Sequence, residues 1–95
     1  MKFTFHPHAR KELREVAAHY DSVDVEAGES FLEEISKSII WILSFPEACA
    51  KIRGEVRRCS KSLSMWVVYE IGSSHIFILA VMHLRRKPDY WSYRE

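Results

Sequence analysis

The chain has 95 residues, 47% of them hydrophobic and 13% aromatic, with a net charge of +1. A chain this short builds one hydrophobic core, so residues 1–95 are expected to form a single domain that needs neither a disulfide framework nor a structural metal. No window approaches the roughly 18 to 20 uninterrupted apolar residues of a membrane span, and the start, Met1 to Pro7, lacks the apolar stretch of a signal peptide. The expected location is the cytoplasm, without membrane contact.

Cys49 and Cys59 stand apart in no ligand spacing, and in a reducing compartment they read as two ordinary thiols in or near the core. The net charge hides an asymmetry: residues 1–50 carry five Lys/Arg against nine Asp/Glu, residues 51–95 nine against four. A basic half suggests a directional field toward an anionic partner such as RNA, DNA or an acidic peptide. Scattered solvated cations would give the same composition.

Phe3-Thr4-Phe5 alternates apolar and polar residues and predicts a short first strand. Pro7 suits a first helical turn, where no backbone donor is needed. Leu13, Val16, Ala17 and Tyr20 then recur at helical spacing, an amphipathic helix of about four turns. Asp21-Ser22 reads as a turn, and Asp24 can cap the next helix. That second helix carries Phe31, Leu32, Ile35, Ile39, Ile42 and Leu43 on one stripe and stops at Phe45-Pro46. The short connection makes the two helices an antiparallel hairpin.

Beyond Pro46 the period changes. Val56 to Cys59, Met65 to Ile71 and His75 to Leu84 are β-rich, and Gly72-Ser73-Ser74 turns the last two into a hairpin. The run Ile76 to Met82 is apolar on both parities, which marks a strand covered on both faces. The helices explain one cover; the other is Tyr90-Trp91-Ser92-Tyr93 folding back, or a partner protein. The expected fold class is α+β, in order β-α-α-β-β-β, an antiparallel-rich sheet with the helix hairpin on one face.

Two clusters could carry chemistry. The run His83 to Arg94 crowds a histidine, basic residues and aromatics at the exit of the last strand. It reads either as a charged strand end with aromatics packing back, or as a phosphate-binding site beside a titratable group. In Arg57-Arg58, neighbours on a strand point to opposite faces, so one of the two leaves the helix side. Arginines there could hold a phosphate without metal, or pair with Glu70 or the acidic helices. Cations beside His83 would lower its pKa. His6-x-His8 lacks further ligands at zinc spacing, so neither metal nor cofactor is expected.

The order of elements resembles the RelE/ParE toxin superfamily. The residues that carry the resemblance are the first strand opening into Pro7-His8-Ala9-x-x-Glu12-Leu13, Phe31-Leu32, Pro46, Val56-Arg57-Arg58 and Val68-Tyr69-Glu70-Ile71. The most specific part is Ile76-x-Ile78-Leu79-Ala80-Val81-x-His83-x-x-Arg86-x-Pro88-x-Tyr90-Trp91. The resemblance implies a type II toxin held inactive by a cognate antitoxin, as a homodimer or as a heterotetramer with it. ParE-like members act by binding DNA gyrase, whereas RelE-like members cleave ribosome-bound mRNA without metal. For a nuclease it implies Arg58, His83, Arg86 and Tyr90 as catalytic residues. Arg57, Lys61, Arg85 and Lys87 are expected to bind the nucleic acid or other target in either case. The lysine-rich strand of RelE proper is thin here, and His83, Arg86 and Tyr90-Trp91 look more like ParE, so gyrase is the expected target. The ribonuclease, and an inert relative that keeps antitoxin binding alone, are the alternatives.

Overall fold

A computed structural model describes residues 2–60, 65–83 and 91–94, with backbone alone for Val25, His83 and Ser92. The order is β1 (Lys2–Phe5), α1 (Pro7–Val23), α2 (Val25–Ser44), β2 (Lys51–Arg53), β3 (Val56–Cys59), β4 (Met65–Ile71) and β5 (His75–His83), then a 3₁₀ turn over Ser92–Arg94. This is the expected α+β arrangement with one strand more. The sheet runs β1-β5-β4-β3-β2. β1 lies parallel to β5, and the other pairs are antiparallel.

Each helix has a local cause. Pro7 opens α1, and the His6 ring accepts a hydrogen bond from the His8 amide at 3.1 Å, so His6 is the N-cap. α1 does not break at Asp21-Ser22. The Ser22 hydroxyl bonds back to the His19 carbonyl at 2.6 Å, which satisfies it inside the helix instead of diverting the backbone. Asp24 alone separates the helices. Its N–H closes α1 on the Tyr20 carbonyl, and its carboxylate caps α2 through the Glu26 amide, both at 3.0 Å. Phe45-Pro46 ends α2 as expected.

The two faces of the sheet are filled differently. On the helix side, Phe31, Ile35, Ile39 and Ile42 of α2 pack on Met65, Val67, Tyr69, Ile76, Ile78 and Val81. Leu32 and Ile40, on the same helix, stay exposed. On the open face, Val56, Val68, Leu79, Ala80 and Met82 are buried under Trp91, so the C-terminal segment supplies part of the second cover. A register shift lets both Leu79 and Ala80 join that face, because Val68 pairs with Ala80 and Tyr69 with Ile78. One extra residue on one strand is the signature of a β-bulge.

Residues 45–50 are pinned to the sheet. The Tyr69 hydroxyl donates to the Pro46 carbonyl at 2.7 Å. Arg57 donates to the carbonyls of Glu47 and Cys49 at 2.9 and 2.6 Å. Cys49 and Cys59, expected as separate thiols, are instead joined as a disulfide, with Cα atoms 5.4 Å apart. The β2–β3 hairpin explains the correction. It turns through Gly54, whose φ of +54° is the left-handed region that glycine favours, and it folds the chain back so that Arg58 N–H meets the Ala50 carbonyl.

Candidate functional site

Alternation along β3 separates the arginine pair. Arg57 shares the helix side with Cys59, and its guanidinium is held by the two carbonyls that precede β2. Arg58 shares the open face with Val56. The register partner of Arg58 on β4 is Val68, and diagonally across, two residues along the same face, the Arg58 guanidinium lies over the Trp66 indole at 4.4 Å. On β2, Arg53 lies over Trp91 at 5.4 Å. The open face therefore presents two arginines, each seated on a tryptophan, a geometry worth about 0.5–1 kcal/mol per pair at an exposed site. Neither Arg57 nor Arg58 pairs with Glu70 among the described residues.

Of the other residues singled out in the sequence, His83 ends β5, its backbone paired with Met65 beside the Trp66–Met82 pair. This places the end of β5 at the same end of the sheet as Arg58 and Trp66. Lys61, Arg85, Arg86, Lys87 and Tyr90 lie outside the described residues.

A second constellation, at the other side of β5, was not marked in the sequence as a site. β1 covers the edge of β5 only as far as Ile78. Beyond it the edge is met by side chains. Glu12 of α1 accepts from the Val81 amide at 3.4 Å, and Arg94 donates to the Leu79 carbonyl at 2.9 Å. The two side chains also bind each other, at 2.8 and 3.2 Å. Burial alone would lower the Arg94 pKa, but the hydrogen bonds it donates to Glu12 and Tyr93, and their charge, raise it above its ordinary value, so the cation is fixed. Tyr93 adds a hydrogen bond to the His8 ring at 2.5 Å. The His6 pKa is lowered by partial burial, by Arg94 and by His8, against an opposing pull from Glu12. Residues 82 apart in sequence cannot be paired by inspection, and no local signal marks this contact.

Next to this clasp the open face holds a cleft of about 380 Å³ lined by Thr4, Phe5, His6, Pro7, Glu70, Phe77, Leu79 and Arg94. No group of three or more His, Cys, Asp or Glu suited to a metal occurs among the described residues. No helix among them is long and apolar enough to cross a membrane.

Residues 3–88 match the family described as the ParE toxin of the type II toxin–antitoxin system parDE. The chain belongs to the ParE toxin family. No curated protein matches it. Membership makes it a toxin of the type II class and implies an antitoxin partner. The ParE match spans β1 to β5, so it covers Arg53, Arg58, Trp66 and Glu12, while Trp91 and Arg94 lie beyond it.

Proposed function

We propose that residues 1–95 act as one ParE-like domain in the cytoplasm, neutralised by a cognate antitoxin and inhibiting growth by binding DNA gyrase. The observation that supports binding over catalysis is the parting of Arg57 and Arg58. Arg57 is spent on two backbone carbonyls, so β3 brings one arginine, not two, to the open face. Metal-free phosphoryl chemistry needs several convergent cations to stabilise the developing charge, whereas an arginine on an indole is a typical anchor for a protein partner. In this reading Arg58, with Arg85 and Lys87, contacts the target, and His83, Arg86 and Tyr90 have no chemical role.

A second reading, the RelE-like ribonuclease, is favoured by the same arginine–tryptophan pairs, since indoles and guanidinium planes also stack on bases. In it Arg58 and Arg86 stabilise the phosphate, His83 or Tyr90 moves the proton, and Arg57, Lys61, Arg85 and Lys87 hold the strand. Induced expression in a bacterial host, with DNA breaks and ribosome-bound mRNA ends read together, separates the two. Gyrase-dependent breaks with intact mRNA are the expected result. Cleavage inside codons that disappears in His83→Ala or Arg86→Ala would replace the gyrase reading with the nuclease. Unimpaired growth would leave antitoxin binding as the surviving activity.

A further inference from the structure

The cleft beside the clasp has an uneven chemistry. Thr4, Phe77 and Glu70 sit in one row across three strands, because Phe77 is in register with Thr4 on one side and with Glu70 on the other. Side chains directly opposed in this way have Cβ atoms about 4.5–5.5 Å apart. Phe77 is 43% exposed, a large aromatic ring left open to solvent on a sheet face. The His75 ring leans on it at 4.6 Å and is itself tied to the Thr4 hydroxyl at 2.8 Å. The Phe77 ring is thus braced on one side and free on the other.

The charges around the cleft do not cancel. Arg94 is neutralised by Glu12 at 2.8 Å, and the lowered His6 pKa keeps that imidazole neutral. Glu70 is left as a carboxylate with no ion pair among the described residues. A lone carboxylate beside an exposed aromatic ring, in a cleft of about 380 Å³, complements a planar cation. A guanidinium can stack on the ring and present its N–H fork to the carboxylate, which an ammonium cannot do as well.

We propose that this cleft receives an arginine side chain of the antitoxin, stacked on Phe77 and paired with Glu70. The assignment of the occupant rests on the reading of the chain as an antitoxin-bound toxin; the chemistry of the cleft does not. The site shares the open face with Arg58 and Trp66 but lies toward the other end of β4, Glu70 being four residues from Trp66, so it is a separate anchor from the Arg58–Trp66 pair.

The test uses benzamidine as an aromatic amidinium probe and benzamide as its uncharged match, followed by amide shifts of the full chain. Benzamidine should shift Thr4, Glu70 and Phe77 in a saturable way, benzamide should bind at least about tenfold more weakly, and Glu70→Gln should remove the difference, since one charge-assisted contact is worth about 1.5–3 kcal/mol. Phe77→Leu, which keeps the apolar volume, should weaken the probe separately. In the purified toxin–antitoxin complex the same amides should no longer respond, because the cleft is filled. Equal binding of both probes, or binding unchanged in Glu70→Gln, overturns the site. A free cleft in an intact complex overturns the antitoxin arginine as occupant. If no complex forms at all, the antitoxin reading fails, while the benzamidine shifts still decide the chemistry of the cleft.

Discussion

The Glu12–Arg94 contact can be taken apart quantitatively. Arg94 donates twice to Glu12, once to the Leu79 carbonyl and once to the Tyr93 hydroxyl, with its side chain 5% exposed. Glu12→Ala leaves that cation buried without its counter-charge and the Val81 amide without an acceptor. Breaking a buried pair from one side typically costs about 3–5 kcal/mol. Because the terminal turn can peel into water and relieve the charge, the lower end, about 3 kcal/mol, is expected. Arg94→Ala should cost about 2 kcal/mol, since the Glu12 carboxylate can turn toward solvent. The double variant should be no worse than Glu12→Ala, a coupling energy of about 2 kcal/mol. For a domain of this size the Glu12→Ala loss lowers Tm by about 10–20 °C. Urea unfolding followed by tryptophan fluorescence measures all three, and Trp91, 3% exposed, should also shift to the red if the turn lifts. A coupling below about 0.5 kcal/mol would reduce the pair to an ordinary surface contact and refute the edge-covering role.

Three other outcomes follow from the same structure. Gly28→Ala should destabilise the fold by about 1–3 kcal/mol although alanine is the better helix former, because the added Cβ would sit 2.8 Å from the Ala17 carbonyl of α1; a rise in Tm would contradict the close helix crossing. Tyr69→Phe should cost about 1 kcal/mol in urea unfolding, as it leaves the Pro46 carbonyl without its donor at a residue with no exposure. The His6 pKa lies below its ordinary value in the folded state, so the unfolded chain takes up the proton first. The stability it supports is complete above about pH 6.5 and is lost as the pH falls through the folded pKa. His6→Asn, which keeps an N-cap acceptor that does not titrate, should flatten the fall of Tm between about pH 7 and pH 5; identical slopes would remove His6 as the cause.

What could be read from the sequence is what repeats locally. Leu13, Val16, Ala17 and Tyr20 give the helical period without tertiary help, and Asp24 and Pro46 mark boundaries because capping and proline act within a few residues. Arg57 and Arg58 had to part, since strand alternation requires it. β2 was invisible because Lys51-Ile52-Arg53 is three residues long and exposed throughout, so burial imposes no alternation on it. Asp21-Ser22 misled because a serine that bonds back to its own helix looks like a turn former. The Cys49–Cys59 pairing and the Glu12–Arg94 clasp are made by the fold, through a hairpin in one case and a return of the C-terminus in the other. The cleft stayed hidden for a related reason. Its residues come from β1, β4, β5 and the terminal turn, and its meaning depends on Glu70 having no ion pair among the described residues.

The parallel pairing of β1 with β5 has a consequence for when this molecule comes into being. Lys2 meets His75 and Phe5 meets Ile78, so β1, at one edge of the sheet, pairs only with β5, which is made after all the other strands. Pairing across so long a loop is slow to close, and during synthesis it cannot begin at all until His75 to Ile78 has emerged. Until then the helix hairpin has no sheet to cover and its apolar stripe is bare. The clasp comes later still, because Arg94 follows β5 in the chain. A growing chain therefore carries β1 and both helices well before its open face is completed. The surface that a partner reads exists only after Trp91 and Arg94 have joined the sheet.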